Sequence, residues 1–344
     1  MLTEKEIKEL RDELATAKNP LFFYDDDPDG VCSFVLLYKI HREGKGIVVK
    51  SAPKLDCRLL HKVGENNPDK VFILDVPMVD QELVDKIKRP IFWIDHHGPF
   101  DVKGLKYYNP RIKDPSAYIP TTRMSYQISE EKKNLWIATV GCLADWYLPD
   151  FIEEFAEMYP ELLPDKNATL EEAVYKHPVG KLVKIFSFIL KGPTSEVNKS
   201  VKILTRIETP EEILNQETAQ GKFIYHRYEK INENYQALVK EARKSVTRSK
   251  LLLFNYSENK MSFTADLANE LVNHLYPKKV VLIARKKSGE MKCSIRSKTP
   301  IRGALEKALE GIEGYGGGHE NACGAVIKEE YWKQFLKNFK REIK

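Results

Sequence analysis

Acidic and histidine side chains follow three separate apolar segments of this sequence. They are Asp25, Asp27 and Asp29 in the run DDDPDG, then Asp75, then Asp95, His96 and His97. Carboxylates that crowd together repel one another and resist burial unless cations neutralise them. Oxygen ligands accompanied by an imidazole suit Mn²⁺ or Mg²⁺. We therefore interpret these residues as candidate ligands of divalent metal ions.

The segments that precede these residues have the composition of buried strands. Leu21–Tyr24, Val71–Leu74 and Ile91–Ile94 are continuous apolar runs, and each ends in an aspartate. In an open parallel sheet, ligands bind at the carboxyl ends of the strands, so the three segments are expected to deliver their polar residues to one crevice. Asp145, at the end of the apolar run 139–145, is a candidate for a fourth contribution.

Each motif has a plain structural alternative when it is taken alone. An acidic run is as often a solvated turn, and Asp95-His96-His97 is as often a helix cap with two surface histidines. The three groups taken together favour a metal-binding or catalytic site, because all of them come directly after buried-strand patterns. Two metal ions about 4 Å apart would activate a water and stabilise the oxygens of a phosphoryl displacement.

The order of apolar patterns predicts an α/β chain with two parts. Short strands, including Ile47–Val49, alternate with helical patterns over 4–17, 31–40 and 79–88, which predicts a doubly wound parallel sheet. The segment 150–215 is helical with proline breaks, and it has no motif that we interpret. The predicted organisation is a first domain over 1–215, a linker helix over 216–247, and a smaller α/β domain over 248–344. The predicted elements of this smaller domain are strands 251–254, 280–284 and 291–295 and a helix over 264–275.

Composition and charge narrow the class of protein only broadly. The chain has 344 residues, a net charge of +5, 42% hydrophobic and 31% charged residues, which is typical of a soluble globular protein with two domains. Five dispersed cysteines without a CxxC pair argue against a disulfide framework and against a structural zinc site. The N-terminal segment mixes acids and bases at helical spacing, which is unlike a secretory signal. The predicted location is the cytoplasm.

These motifs resemble those of the DHH phosphoesterase family. The segment 25–33 is similar to the first motif of its RecJ branch, Asp75 to the second, Asp95-His96-His97-Gly98 to the third, and Asp145 to the fourth. The resemblance implies two Mn²⁺ or Mg²⁺ ions. The ligands that it implies are Asp27, Asp29, Asp75, His96 and Asp145, with Asp25 as an extra ligand or a supporting partner. It also implies that Asp75 bridges the metals, that Asp95 orients His96, and that His97 faces the scissile phosphate.

The C-terminal part resembles the DHHA1 domain that follows in this family. The segments 293–297 and 314–324 carry the resemblance, the second through Gly316-Gly317-Gly318-His319. A glycine-rich turn would expose N–H groups to phosphate oxygens, while His319 could add a donor and Arg296, beside Ser297, could fork onto a phosphate. A flexible turn is the alternative for a lone glycine run. Nine Lys or Arg residues against one acid over 278–302 favour a polyanion-binding track, and Tyr315 is a candidate for base stacking.

The resemblance implies an exonuclease that hydrolyses single-stranded DNA, with RNA as a further candidate substrate, to mononucleotides in the cleft between the two domains. A 3′→5′ polarity is expected because minimal archaeal RecJ-like proteins lean that way. One alternative is a nano-RNase or dinucleotide phosphodiesterase of the same family. Another is a non-catalytic scaffold in a replication or repair complex, although every matched ligand position keeps a competent residue. A replication or repair protein is a further expected partner, and no membrane association is expected. Sugar preference, substrate length and oligomeric state stay open.

Overall fold

The computed structural model describes residues 1–50, 54–257 and 261–343, and within them the chain forms two units. The units are Met1–Tyr228 and Glu229–Lys344, and the boundary between them falls inside one long helix. This helix was predicted over 216–247. None of the described helices combines the length and apolar composition that a membrane span requires. All five cysteines are free thiols.

The first unit alternates strands and helices up to residue 108 and is helical thereafter. Its strands are β1 (Leu21–Asp25), β2 (Lys45–Val49), β3 (Lys54–Leu55), β4 (Val71–Leu74), β5 (Met78–Val79), β6 (Ile91–Ile94) and β7 (Lys106–Tyr108). Its helices are α1 (Glu4–Ala15), α2 (Pro28–His41), α3 (Leu60–Asn66), α4 (Gln81–Lys86), α5 (Thr121–Ser129), α6 (Leu135–Ala144), α7 (Ile152–Met158), α8 (Leu170–Tyr175), α9 (Val179–Ile189), α10 (Thr194–Leu204), α11 (Pro210–Leu214) and the start of α12 (Ala219–Lys244).

Five strands of this unit form one parallel sheet in the order β2-β1-β4-β6-β7. The chain first moves outward from β1 to β2 and then returns to the other side of β1 as β4. The sheet therefore reverses its winding between β1 and β4, which is where a doubly wound sheet opens a crevice at its carboxyl edge. Asp25 ends β1 and Asp75 follows β4, so both flank this switch point.

Apolar side chains cover both faces of the parallel sheet. On one face Phe23, Ile73 and Trp93 pack with residues of α3 and α4 in one buried cluster. On the other face the rings of Phe22 and Phe72 stack with centroids 5.2 Å apart. Because side chains alternate between the faces, strands buried on both sides are apolar throughout, which is the pattern that the sequence showed.

The second unit contains a five-stranded sheet that is mostly antiparallel. Its strands are β8 (Leu251–Tyr256), β9 (Val280–Lys287), β10 (Glu290–Arg296), β11 (Gly314–His319) and β12 (Ala322–Lys328), in the order β11-β12-β10-β9-β8. Its helices, besides the end of α12, are α13 (Thr264–Glu270), α14 (Arg302–Leu309) and α15 (Trp332–Glu342). A π-helical turn, Leu271–Leu275, continues α13, so the helix predicted over 264–275 is present with a change of pitch. A core that includes Ile295, Leu305 and Phe335 joins the sheet to α14 and α15.

The predicted architecture is confirmed in both units, with one correction at the glycine cluster. The sequence predicted a glycine-rich turn at Gly316–Gly318. The structure instead extends these residues as β11, an edge strand that pairs antiparallel with β12. Strand pairing with Gly324 and its neighbours outweighs the poor intrinsic strand preference of glycine.

Candidate functional site

The first acidic motif lies where β1 passes into α2. Asp27 caps α2, because its Oδ1 accepts a hydrogen bond of 2.9 Å from the N–H of Gly30, and Pro28 follows in the first turn. A Cβ atom at Gly30 would lie 2.7 Å from the backbone oxygen of Asp25. Glycine therefore permits the close approach of helix and strand that places Asp25, Asp27 and Asp29 together.

The carboxylate of Asp29 is fixed by main-chain groups at the start of α5. It is buried, and its two oxygens accept hydrogen bonds of 2.9 Å from the N–H of Thr121 and 2.7 Å from the N–H of Thr122. These N–H groups begin a helix, so they have no partner within it and carry the positive end of its dipole. Asp29 is thus held in one orientation with its charge partly compensated.

Asp75 occupies a backbone conformation that side chains other than glycine seldom adopt. Its φ is +60°, and its N–H donates to the carbonyl of Ile94 at 2.9 Å. Its Oδ1 accepts a hydrogen bond of 3.1 Å from the hydroxyl of Thr121. Aspartate tolerates the left-handed region better than most residues, and such conformations concentrate at functional sites.

The side chain of His96 lies close to carboxylates of the first, second and fourth motifs. Its Nε2 lies 3.3 Å from Oδ1 of Asp75, 3.7 Å from Oδ2 of Asp29 and 3.7 Å from Oδ2 of Asp145. Asp145 follows α6, and the hydroxyl of Tyr118 donates to its Oδ2 at 2.9 Å. One imidazole nitrogen is therefore surrounded by three carboxylates.

Three overlapping sets of side chains place their ligand atoms within 4.8 Å of one another. The sets are Asp25, Asp27 and Asp75; Asp29, His96 and Asp145; and Asp75, His96 and His97. Asp75 belongs to two of the sets. The structure thus brings together all six residues that the sequence analysis named as metal ligands.

The electrostatics of this cluster disfavour its own ionised form. Burial, followed by repulsion between neighbouring carboxylates, raises the pKa of Asp25, Asp27, Asp75 and Asp145. Burial also raises the pKa of Asp29, against the hydrogen bonds from Thr121 and Thr122. Bound cations are the means by which such carboxylates ionise together at neutral pH. Carboxylate oxygens and imidazole nitrogens without a thiolate fit hard divalent cations.

Asp95 orients His97, which corrects the expectation that it orients His96. Its Oδ1 lies 2.7 Å from Nδ1 of His97, and its Oδ2 accepts from the His97 N–H at 3.0 Å. Tyr107 and Asn109 also donate to Oδ2. Burial alone would lower the pKa of His97, but the hydrogen bond and charge of Asp95, with nearby carboxylates, raise it. His97 is thus held in one orientation by Asp95, within the third ligand set.

We expect the substitution Asp95→Asn to reduce turnover by about 10- to 100-fold while leaving intact the two sets that do not contain His97. The amide would change the tautomer and the orientation of His97, whereas Asp95 belongs to none of the three ligand sets. Measurement of kcat on a nucleic-acid substrate, with Mn²⁺ affinity measured in parallel by calorimetry, tests this. Asp101→Asn, on an exposed neighbouring loop, is the matched control. A parallel loss of metal affinity would contradict the positioning role.

The second unit places its sequence-predicted residues at and beside the sheet edge. Gly316, Gly317, Gly318 and exposed His319 lie on β11, whose outer N–H groups, as on any edge strand, do not pair with β12. The Arg296 guanidinium contacts the Asn269 side chain at 2.6 Å and the carbonyl of Cys323 at 3.1 Å. Nearby, the hydroxyl of Ser297 lies 3.0 Å from that of Thr299. Arg296 is therefore anchored within this unit, which fixes its orientation.

Two neighbouring glycines of β11 offer a matched test of ligand approach. A Cβ at Gly317 would meet nothing within 4 Å, whereas Gly318 has a φ of +135° and its Cβ would lie 2.4 Å from the Ala322 carbonyl oxygen. We expect Gly317→Ala to leave thermal stability unchanged and to weaken substrate binding several-fold if a phosphate contacts this strand. Gly318→Ala should instead destabilise the fold by about 1–3 kcal/mol. Melting curves and KM values for both variants check this; an unchanged KM in Gly317→Ala would exclude β11 from the substrate path.

Sequence reasoning missed the residues that support the ligands. Thr121 and Thr122 donate hydrogen bonds to Asp29, and Thr121 also donates to Asp75. Tyr118 donates to Asp145. A proline followed by two threonines is a helix-start signal, and it could have placed free N–H groups at position 121. Nothing in the local sequence indicates which distant carboxylate those groups meet.

Comparison with known proteins gives one family match and several similar folds. Residues 251–344 match the model of the DHHA1 domain. A search of curated proteins finds no match. RecJ from Thermus thermophilus in complex with Mn²⁺ superposes with a TM-score of 0.69 at 16% identity, over 98% of this chain and 54% of that one. The present chain thus spans about half the length of that RecJ.

Two further structures show the same fold over most of their length. An exonuclease RecJ bound to manganese has a TM-score of 0.61 at 14% identity, with 98% of this chain and 93% of that one covered. A DHH domain described as belonging to a family of ribosomal proteins has a TM-score of 0.68 at 14% identity, with 98% and 89% covered. At these identities the likeness establishes the fold, and it confirms the expected resemblance.

Proposed function

We propose that this chain, whose residues 251–344 match the DHHA1 model and whose fold is similar to that of RecJ, is a divalent-metal-dependent phosphodiesterase of the DHH family. Its proposed substrate is single-stranded nucleic acid, which it shortens from one end to mononucleotides, with 3′→5′ polarity. The observation that carries the proposal is the convergence of Asp29, Asp75, His96 and Asp145 at the switch point of the parallel sheet. Buried carboxylates with raised pKa values around one imidazole are typical of functional sites.

The donor set supports two metal ions. Asp25, Asp27 and Asp75 would hold one, and Asp29, His96 and Asp145 the other, with Asp75 close enough to both sets to bridge them. Mn²⁺ or Mg²⁺ bound there would supply charge stabilisation and an activated water for hydrolysis of a phosphodiester. The RecJ structures that contain Mn²⁺ support this choice of ion.

Residues of this centre also have roles other than metal coordination. His97, held by Asp95 through Nδ1, presents its Nε2 side for a hydrogen bond to a phosphate oxygen or a leaving oxygen. Tyr118 holds Asp145 in place. Thr121 donates to both Asp29 and Asp75, so a single residue sets the spacing between carboxylates of different motifs. We assign these residues to positioning and proton handling.

The second unit is proposed to bind the sugar-phosphate backbone. Strands β9 and β10 carry Arg285, Lys286, Lys287 and Lys292, and β11 exposes glycine N–H groups and Tyr315, which is 70% exposed. Cations and N–H groups attract phosphates irrespective of sequence, and an exposed ring can stack on a base. The unit would therefore contribute affinity without base specificity.

The experiment that tests this function is an end-labelled hydrolysis assay. Purified protein is incubated with Mn²⁺, Mg²⁺ or chelator and with single-stranded DNA or RNA labelled at the 5′ or the 3′ end. We expect metal-dependent release of mononucleotides that His96→Ala abolishes and that His61→Ala, at an exposed site on α3, leaves unchanged. Metal-dependent cleavage that survives His96→Ala would refute the assigned centre.

The same assay separates the proposal from its alternatives. A series from 2 to 30 nucleotides distinguishes an exonuclease from an enzyme restricted to short oligonucleotides, and the label position reports the polarity. Absence of hydrolysis on every substrate, together with Mn²⁺ binding, would favour a scaffold role in replication or repair. The three ligand sets favour the catalytic role, since a scaffold gains nothing from carboxylates that resist burial.

A further inference from the structure

A cavity of about 440 Å³ opens between α10 and β2, the edge strand of the parallel sheet. Its volume is in the range of small-molecule sites. Gly44, Gly46 and Ile47 line the β2 side, at the amino-terminal half of that strand. None of the metal-ligand candidates lines the cavity, although Tyr24, which does, directly precedes Asp25 in β1. The cavity is therefore a separate feature of the first unit.

Aromatic rings form one wall of this cavity. The rings of Tyr24 and Phe34 stack with centroids 4.7 Å apart, and Tyr38 follows at 5.6 Å from Phe34. Tyr24 and Phe34 are buried, while Tyr38 is partly exposed and offers its ring to the cavity. A Cβ at Gly46 would lie 2.5 Å from Phe34, so only glycine lets β2 approach this wall. An aromatic wall suits a flat, apolar group such as a nucleobase.

The rim of the cavity is basic. Lys45 on β2 and Lys199 and Lys202 on α10 line it, and no acidic residue does among the residues that the structure describes. In the described part of the chain none of these three exposed lysines takes part in an ion pair, although the ammonium of Lys199 lies 4.7 Å from the ring centroid of Phe223. Asn198 adds an amide that can both donate and accept. Ammonium groups without carboxylate partners around an apolar pocket are complementary to a ligand with an apolar body and an anionic end.

We propose that this cavity is a second nucleotide-binding site that holds a base against Tyr38 and its phosphate against Lys199 and Lys202. The ligand chemistry is a nucleoside monophosphate unit, either free or as part of a bound strand. The site would retain a nucleotide without metal, because none of the metal-ligand candidates lines it. A free nucleotide there would report product level to the enzyme, whereas a strand would gain a second point of attachment.

The test is equilibrium dialysis with radiolabelled AMP, and separately with a phosphorothioate hexanucleotide, in chelator and on the full chain. We expect AMP to be retained, with at least 10-fold weaker binding by the double variant Lys199→Glu/Lys202→Glu. The matched control is Lys5→Glu/Lys8→Glu, the same charge change on exposed residues of α1. Tyr38→Leu, which keeps apolar volume but removes the ring, should also weaken binding. Melting curves confirm that each variant is folded.

The outcomes separate this site from the proposed hydrolytic function. Metal-independent binding that depends on the α10 lysines, with no hydrolysis, would support the cavity and count against the enzyme. Retention of the hexanucleotide alone, sensitive to the same lysines, would support the strand-bound form of the ligand. Binding that is lost in Asp75→Asn or insensitive to the α10 lysines, or no retention of either probe at millimolar concentration, would overturn the proposal.

Discussion

The substitution Asp75→Asn is expected to abolish hydrolysis, by about 10³-fold or more, and at the same time to stabilise the metal-free protein by about 1 kcal/mol. Asp75 belongs to two of the three ligand sets, so its loss affects both metal positions. Asparagine adopts the left-handed backbone that this position requires and keeps an oxygen for the Thr121 hydroxyl. The shape of the centre should therefore survive the loss of charge.

The stabilisation follows from the direction of the pKa shift. Burial, and then the neighbouring carboxylates, raise the pKa of Asp75 well above its ordinary value. The folded protein thus binds more protons than the unfolded chain, and metal-free stability falls as the pH rises from about 3.9 through the raised folded-state pKa. At pH 7.5 the carboxylate opposes folding, and the amide does not.

Denaturant unfolding in chelator, combined with the end-labelled assay, measures both effects on one preparation. Asp80→Asn is the matched control. Asp80 caps α4 and pairs with Lys54 at 2.9 Å, which lowers its pKa, so its loss should reduce stability slightly and spare activity. If Asp75→Asn lowered metal-free stability, the view of this cluster as electrostatically strained would be wrong.

The substitution Gly30→Ala should destabilise the protein by about 3 kcal/mol and reduce activity by about 10²-fold. The added methyl group would lie 2.7 Å from the backbone oxygen and 2.8 Å from the backbone nitrogen of Asp25. These are main-chain atoms of a central strand, so they cannot rotate away as a side chain can. The first turn of α2 must shift, and Asp27 and Asp29 shift with it.

Gly64→Ala is the control that separates the steric clash expected at Gly30 from the effect of alanine on helix propensity. Gly64 lies in α3, and a Cβ there would meet nothing within 4 Å. Alanine should leave stability unchanged or raise it by about 0.5–1 kcal/mol, since it has the better helix propensity. Calorimetric melting of both variants and their kcat values decide the matter. If Gly30→Ala changed neither the melting temperature nor kcat, α2 would be able to shift away from β1, contrary to what its close packing indicates.

The first unit was predictable because its signals are local. Each apolar run is short, buried on both faces and followed by a charged residue, so strand and site could be found from one segment at a time. The structure brings Asp75 and Asp145 into one cluster with the other candidates because the edge of a parallel sheet collects residues from distant segments. The family resemblance then indicated which of the neighbouring acidic and histidine residues in each motif are the candidate ligands.

The features that failed depend on partners that the local sequence does not contain. Asp95 contacts His97 rather than His96, because the turn after β6 directs His96 toward the carboxylates of other motifs. Gly316–Gly318 forms a strand because β12 is present to pair with it. The cavity beside β2 is formed by α10, more than 140 residues further along the chain, in a region where no motif was found.

The hydrogen bonds that Asp29 accepts determine which substitutions the protein can tolerate at positions 121 and 122. Two of its hydrogen-bond donors are the main-chain N–H groups of Thr121 and Thr122, which persist whatever side chains stand there, provided that proline is excluded and α5 begins at this point. Asp75, by contrast, depends on one hydroxyl of Thr121. Homologous sequences should therefore retain a hydroxyl at position 121, which serves Asp75, and at position 122, where the Thr122 hydroxyl donates to the backbone oxygen of Asp29 at 3.0 Å.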